Sequence, residues 1–424
     1  MPKENSLEYW LDYIQTVGPK EIDLGLQRIK PIYEQLIKSK ISSKVIVVGG
    51  TNGKGTTTEF LGQLLVSKHK IVGTFTSPHL FNFNERIKIN GKPVSDESIV
   101  ESFKLIEESR GSTNLTYFDF STLAALLIFN KSNVDYMVLE IGLGGRLDPV
   151  NIVDSDIAIL TNVELDHQDW LGEDRESIGK EKADIFKLHK PVIIGQHEVP
   201  NSVHEKILET KNQTFCVGKE FDYQVDDSNK KWTFTFKGER QVSYSDIKLN
   251  SFSVSSISCA LAAFCLLEEE VSLDNMDVVF NSLDLKGRCE LIDNRYLLDV
   301  SHNESSARFL SSFIERNFED GTVINAVFGV MEDKDVNSIL EPLATRINKW
   351  YVTSADIERS MATEKLGDII NSKYPKDMEL VGSVKEACMK AQEETEEEGL
   401  ILIFGSFYTV SEAFPALKLL RSVA

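Results

Sequence analysis

Lys54 lies within Val47-Val48-Gly49-Gly50-Thr51-Asn52-Gly53-Lys54-Gly55-Thr56-Thr57. An apolar, strand-like run (Lys44 to Val48) leads in, and a helical pattern follows from Thr56 to Val66. A glycine-rich turn of this kind wraps backbone N–H groups around phosphates, so Thr51, Asn52, Gly53 and Lys54 are the candidate phosphate ligands. The lysine adds a point charge and the helix N-terminus a positive dipole. The spacing departs from the Walker A pattern: Val48 stands where a glycine is required, and Gly55 separates Lys54 from Thr56. Ordinary P-loop kinases and GTPases are not written this way.

Other reactive side chains stand at the ends of further apolar runs. Thr76-Ser77-Pro78-His79 follows one, Glu140 ends a second, and Leu165-Asp166-His167 follows a third. In an open α/β sheet the carboxyl ends of the strands form the ligand crevice, so Ser77, Glu140 and His167 should converge there with the glycine-rich loop. An oxygen-rich set beside phosphates suits Mg²⁺, although an imidazole is a less usual ligand for it. Each residue also has a plainer reading. Ser77 fits a turn cap before Pro78, and His167 a hydrogen-bonded structural histidine. Gly142-Leu143-Gly144-Gly145 alone fits a tight turn, and Lys182 alone a solvated helix lysine. Glu140 resists such a reading, because a carboxylate in an apolar strand needs a partner.

Later in the chain, Leu298-Asp299-Val300-Ser301-His302-Asn303 ends a strand-like run with polar side chains. Asp299 can hold a ribose there, while His302 and Asn303 can cap the next helix. Arg288, after Gly287, can grip a phosphate bidentately. No Ser-His-Asp pattern or reactive-cysteine motif competes for a nucleophilic role.

These residues need a scaffold of alternating elements. Short apolar runs (44–48, 71–75, 136–141, 157–160, 192–194) alternate with helical stretches (56–66, 98–108, 121–130). This predicts a mostly parallel sheet covered by helices. Residues 215–249 instead alternate aromatic and polar side chains, which predicts a small antiparallel insertion before a helix at 254–267. A second α/β series runs from Tyr296 to Leu420, and Glu393–Glu398 reads as a solvated helix end. The 424 residues therefore divide into an α/β domain over 1–289 and a smaller Rossmann-like α/β domain over 290–424.

Composition narrows the function classes. A net charge of −20 argues against nucleic acid and anionic membrane as partners. The five cysteines form no C-x-x-C pair, which suggests neither a zinc site nor a disulfide framework. No apolar run reaches a membrane span, and no secretion signal is visible at the N-terminus, so the expected compartment is the cytoplasm.

In order along the chain, these segments resemble the folylpolyglutamate synthase family of the Mur ligase superfamily. The likeness takes in the loop at 50–56, Thr76–His79, Leu139–Asp148, Leu165–Gly172, Ile178–Phe186, Gly287–Arg288, Asp299–Asn303 and Phe404–Phe407. It implies an ATP-dependent ligase of folate biosynthesis. ATP phosphorylates a carboxylate to an acyl phosphate, and the α-amine of L-glutamate displaces the phosphate to form an amide.

The resemblance also implies roles for individual residues. Thr51, Asn52, Gly53 and Lys54 meet the phosphates, Ser77 and Glu140 one Mg²⁺, and His167 a second. Lys182 matches a lysine carboxylated by CO₂. Arg288 and Asp299 match nucleotide contacts, with His302 close by. Asp23 and Leu24, in Ile22-Asp23-Leu24-Gly25-Leu26-Gln27-Arg28, look like a dihydropteroate loop. Thr116, Tyr117, Phe118, Asp119, Leu147, Asp148 and Pro149 look like its other walls. Both dihydropteroate and reduced folates, through the γ-carboxylate, are the expected acceptors, and a monomer is the expected state.

Two departures stand out. The resemblance implies an adenine-contacting asparagine where Ser256 stands, and a smaller, more polar pair where Pro149-Val150 stands. The alternatives are a folylpolyglutamate synthase without the first activity, another Mur-type amino-acid ligase, a P-loop kinase or GTPase, and a non-catalytic nucleotide-binding module.

Overall fold

A computed structural model describes residues 6–18, 23–38, 41–228, 230–238, 241–268, 276–283 and 285–423. Of the expected dihydropteroate loop, Ile22 lies outside the described residues. The chain divides into two compact units, Met1–Leu249 with Ser253–Leu283, and Asn250–Phe252 with Asp284–Ala424. Both are mixed, mostly parallel α/β structures.

The first unit opens with helices α1 (Leu7–Val17) and α2 (Ile29–Leu36). It continues with β1 (Lys44–Gly49), α3 (Lys54–Ser67), β2 (Val72–Phe75), β3 (Ile87–Ile89), β4 (Lys92–Pro93), α4 (Asp96–Arg110) and α5 (Tyr117–Lys131). Then come β5 (Tyr136–Glu140), β6 (Ile157–Leu160), α6 (Gln168–Leu171), α7 (Arg175–Ala183), β7 (Val192–Ile194), α8 (Asn201–Thr210) and β8 (Thr214–Cys216). These strands form one sheet in the order β4-β3-β2-β5-β1-β6-β7-β8. It is parallel from β2 to β8, and β3 and β4 join antiparallel at one edge. The apolar runs are buried on both faces because helices cover both. Val45, Val47, Met137 and Leu139 share one core with Phe103, Phe120 and Phe129 of the helices.

The insertion is a three-stranded antiparallel sheet of β9 (Phe221–Asp226), β10 (Lys231–Lys237) and β11 (Gln241–Lys248), followed by α9 (Val254–Leu267) and α10 (Met276–Ser282). On β10, Trp232, Phe234 and Phe236 are buried, so the aromatic alternation does mark an inner face. The expected span began too early: residues 214–216 belong to the main sheet.

The second unit contains β12 (Glu290–Ile292), β13 (Tyr296–Asp299), α11 (Glu304–Asn317), β14 (Ile324–Phe328), α12 (Val336–Leu340), β15 (Lys349–Val352) and α13 (Thr363–Lys373). β16 (Asp377–Leu380), α14 (Val384–Glu394), β17 (Leu400–Phe404) and α15 (Phe407–Val423) complete it. Its six-stranded sheet runs β12-β13-β17-β14-β15-β16, parallel except for β12. No helix among the described residues is long and apolar enough to cross a membrane.

Candidate functional site

Strand register assembles the first site. Val48 of β1 pairs with Glu140 of β5, Gly49 with Leu160 of β6, and Phe75 of β2 with Leu139. The loops after these strands therefore leave one edge of the sheet together, with β1 in the middle. The chain goes one way from β1 through α3 to β2, while β6 continues the other way to β7. This is the reversal at which open α/β sheets bind ligands.

The glycine-rich loop takes backbone shapes that side chains resist. Gly50 and Gly53 have φ of 139° and 82°, in the region that favours glycine. α3 starts at Lys54 without a side-chain cap. Its first N–H groups therefore lack helical acceptors and form an anion-binding end. Not every expected donor faces that way. The N–H groups of Thr51 and Asn52 donate to Asn162 Oδ1 at 3.1 and 2.9 Å. Thr161 Oγ1 donates to the Asn52 carbonyl at 2.7 Å. These three backbone groups brace the loop on the residues just past β6, which leaves the first N–H groups of α3 as the donors. The Lys54 ammonium folds back onto the Thr51 carbonyl at 3.1 Å. Ser256, at the start of α9, is buried with its hydroxyl against Gly53.

Glu140 is brought to the same place. Its Oε2 accepts the Ser77 N–H at 2.9 Å, and a β-carbon on Gly55 would lie 3.4 Å from that oxygen. A buried carboxylate beside a serine and an anion-binding helix end is a hard-oxygen donor set suited to Mg²⁺. Among the described residues no group of three His, Cys, Asp or Glu converges on a metal position. Mg²⁺ commonly completes its shell with water and phosphate oxygens, so a site of few protein ligands fits it. His167 stands on a different strand end, in left-handed conformation at the start of α6, with Asp166 Oδ1 accepting its N–H at 2.9 Å.

Lys182 is no solvated helix lysine. It is 4% exposed, and its ammonium donates to the Gly50 carbonyl at 2.9 Å. Burial and the charge of Lys54 push it down to about 7, against the pull of Asp166 and Asp148. Gly145 lets the 142–148 loop lie on α7, since a β-carbon there would stand 2.7 Å from the Glu181 carbonyl and 3.0 Å from that of Lys182. Asp148 is likewise enclosed. It accepts N–H groups from Leu143 and Val150 at 2.8 and 2.9 Å, yet burial raises it to about 7.

The expected pterin walls fall into two groups. Phe118 and Asp148 both close on Gly142, where a β-carbon would lie 2.6 Å from the Phe118 ring and 3.2 Å from Asp148 Oδ2. Thr116 and Asp119 form the capping box of α5, and Asp119 is fully buried in an ion pair with Arg28. Tyr117 packs edge-on to Phe83 under the Arg86 guanidinium. Arg86 also donates to His79 Nδ1 at 2.7 Å, and burial together with Arg86 holds His79 at about 4. Leu147 is half-buried, while Pro149 and Val150 are buried behind Asp148, which caps their short 3₁₀ turn. Asp23 is exposed and Leu24 half-buried.

In the second unit Asp299 ends β13. Its Oδ2 accepts the Cys289 N–H and its Oδ1 the Ser301 N–H, both at 2.8 Å. These bonds hang the Gly287–Cys289 loop on the strand end. Arg288 lies over the Phe407 ring at 5.0 Å, and His302 approaches that ring at 6.3 Å with Nδ1 on the Val300 carbonyl. Asp299, Arg288 and His302 thus share one sheet edge with Phe407. In the sequence Arg28, Asp166 and Phe407 stand out only as members of longer segments, and Asn162 not at all. The partners that give Arg28 and Asn162 their roles lie far along the chain.

The chain matches the Mur ligase middle domain over residues 48–267 and the Mur ligase glutamate ligase domain over 287–407. These domains define an ATP-dependent ligase. It is 35% identical over 418 residues to the dihydrofolate synthase/folylpolyglutamate synthase of Escherichia coli strain K12, covering 98% of this chain and 96% of that relative. It superposes on E. coli FolC in complex with DHPP and ADP with a TM-score of 0.92 at 34% identity, covering 99% and 100% of the two chains. A bifunctional folylpolyglutamate synthase/dihydrofolate synthase with Mn, AMPPNP and L-glutamate bound gives 0.88 at 33%, covering 98% and 99%. The chain belongs to the dihydrofolate synthase/folylpolyglutamate synthase family of Mur ligases.

Proposed function

We propose that this chain ligates L-glutamate to 7,8-dihydropteroate and to the γ-carboxylate of reduced folates, using ATP. The acceptor carboxylate takes the γ-phosphoryl group and becomes an acyl phosphate. The α-amine of glutamate then attacks the carbonyl carbon, and phosphate leaves as the amide forms. Such chemistry needs placed donors and cations rather than a protein nucleophile.

In this reading the N-terminus of α3 and Lys54 hold the phosphates, and Asn162 keeps the loop in shape. Mg²⁺ held by Ser77 and Glu140, with a second ion at His167, would neutralise charge developing on the phosphates. Arg288 and Asp299 serve the nucleotide and His302 catalysis. Phe118, the Asp148 loop and the Asp23–Leu24 segment receive the pterin, whose flat face suits an aromatic wall. Lys182 is the proposed site of carboxylation by CO₂. A buried amine lowered to about 7 keeps a neutral, nucleophilic fraction near physiological pH.

The observation that carries the reading is the convergence of Glu140, Ser77 and the uncapped start of α3 at one sheet edge. Phosphate release with ATP, Mg²⁺ and L-glutamate, measured with 7,8-dihydropteroate, tetrahydrofolate or no acceptor, tests it. Acceptor-dependent release with both supports two activities. Release with tetrahydrofolate alone makes the chain a folylpolyglutamate synthase only, and silence with both overturns the reading.

A further inference from the structure

Arg28 joins two segments that the pterin reading treats separately. One is the stretch between α1 and α2 that carries Asp23 and Leu24. The other is the first turn of α5, with Thr116 to Asp119. Arg28 Nη1 lies 2.8 Å from Asp23 Oδ2, and Nη2 donates to the Asp23 carbonyl. Its Nε donates to Asp119 Oδ2 at 2.6 Å. The Arg28 side chain is 16% exposed and that of Asp119 is 0% exposed, so the guanidinium reaches from a buried helix cap to an exposed loop.

The other end of the stretch is fixed in the same neighbourhood. Gly18, just past α1, packs so closely on the backbone before α5 that a β-carbon would meet the Leu115 carbonyl at 2.8 Å and Thr116 Cα at 3.4 Å. Asp23 and Leu24 are therefore carried between two anchors, both on residues 115–119. The oxygen that holds Arg28 also accepts the Thr116 N–H at 2.8 Å, so latch and helix cap share one atom. Phe118, in the same turn, forms the wall against Gly142.

We propose that Arg28 is a positioning residue for the acceptor. It latches the Asp23–Leu24 segment onto the start of α5, so that the pterin meets a pocket already assembled. The proposal rests on the pterin reading above. A loop ordered only on binding takes its ordering cost out of the affinity, and a latch removes that cost beforehand. A guanidinium suits the task because its planar donors reach two carboxylates at once, which a lysine ammonium does not reproduce. Among the described residues the polar partners of Arg28 are Asp23 and Asp119. Its loss should therefore fall on the acceptor KM and not on the ATP KM.

Steady-state kinetics of the full chain with each pterin acceptor test this in Arg28→Met, Arg28→Lys and the double variant Arg28→Met/Asp119→Asn. Arg28→Met should raise the acceptor KM about tenfold, equivalent to about 1.4 kcal/mol. The ATP KM should stay near that of the unaltered enzyme, and Arg28→Lys should recover part of the loss. The double variant removes the buried carboxylate that Arg28→Met leaves unpaired, so it separates a folding defect from a lost latch. It too should show the raised acceptor KM while folded. An unchanged acceptor KM in the folded double variant overturns the latch, as does an ATP KM that rises in step. If the unaltered enzyme turns over neither pterin, the pterin reading fails and the latch with it. Normal turnover with unaffected variants sinks the latch alone.

Discussion

Both units end an inner strand of their sheet with a carboxylate, and they use it differently. Asp299 is engaged by the Cys289 and Ser301 backbone N–H groups and by the Cys289 thiol at 3.4 Å. Glu140 accepts the Ser77 N–H and faces the Gly55 backbone at the start of α3. Asp299 works as a clamp on its own loop. Glu140 sits where an anion-binding helix end and a serine meet, among groups whose charge burial disturbs, Lys182 and Asp148. A strand-end address thus brings a residue to the site, but its donors decide whether it faces the ligand directly or also anchors a loop, as Asp299 anchors the one that carries Arg288. On this view, variants at the first edge should strike turnover, and variants at the second should strike nucleotide affinity and stability.

The largest effect is expected for Lys54→Ala. Removing a cation from the developing phosphate charge should cost at least about 10²–10³-fold in turnover, with the thermal midpoint little changed. Near-normal phosphate release would break the contrast between the edges at its strongest point.

Lys182→Ala should come next, on the order of 10²-fold in kcat, with partial recovery on adding short carboxylates. In the unaltered enzyme stripped of CO₂, bicarbonate should restore activity with a midpoint near pH 7, where the amine loses its proton. Burial drives that displacement, Lys54 adds to it, and Asp166 and Asp148 resist it. The sign follows from the folded value lying below the ordinary 10.5. Between pH 7 and 10.5 the unfolded chain binds more protons at this lysine, so the uncarboxylated protein should gain stability as pH rises. A restoration midpoint close to 10 would show that Lys182 is not desolvated in solution.

Much of this contrast was legible beforehand. Alternating apolar runs and helical stretches led to two α/β sheets, because a parallel strand buried on both faces leaves a short, wholly apolar run. The strand-end residues followed from the rule that such sheets bind ligands at one edge. Other features were written in the sequence but passed over. Thr116-x-x-Asp119 is a capping box. Asn90-Gly91, both with positive φ, turns the β3–β4 hairpin. Asn162 and Arg28 were not legible, for a different reason. Asn162 braces the glycine-rich loop only because Gly49 pairs with Leu160. Arg28 finds Asp119 across 91 residues of chain. Local patterns do not encode partners of that kind.

Asp299→Asn sharpens the comparison from the other side. The amide keeps one acceptor but turns an NH₂ toward a backbone N–H, leaving a buried donor unsatisfied at a cost of about 1–3 kcal/mol. Chemical denaturation should register that loss. The ATP KM should rise while kcat changes less, because the Arg288 loop loses its anchor. A collapse of kcat with unchanged stability would make Asp299 a participant in the reaction and erase the distinction from Glu140.

The smallest effect is expected at Ser256, where the resemblance led to the expectation of an asparagine. The hydroxyl rests against Gly53, and the Ser256 carbonyl accepts from Thr57 Oγ1 at 3.0 Å, so α9 supports the loop mainly through its backbone. Ser256→Ala keeps that carbonyl and removes only the hydroxyl. The ATP KM should then rise about two- to fivefold, equivalent to about 0.5–1 kcal/mol for one modest hydrogen bond, with kcat unchanged. A rise beyond about 30-fold, or roughly 2 kcal/mol, would mean that the serine binds the nucleotide as strongly as a charged contact. Nucleotide recognition would then belong to the first edge as much as to the second.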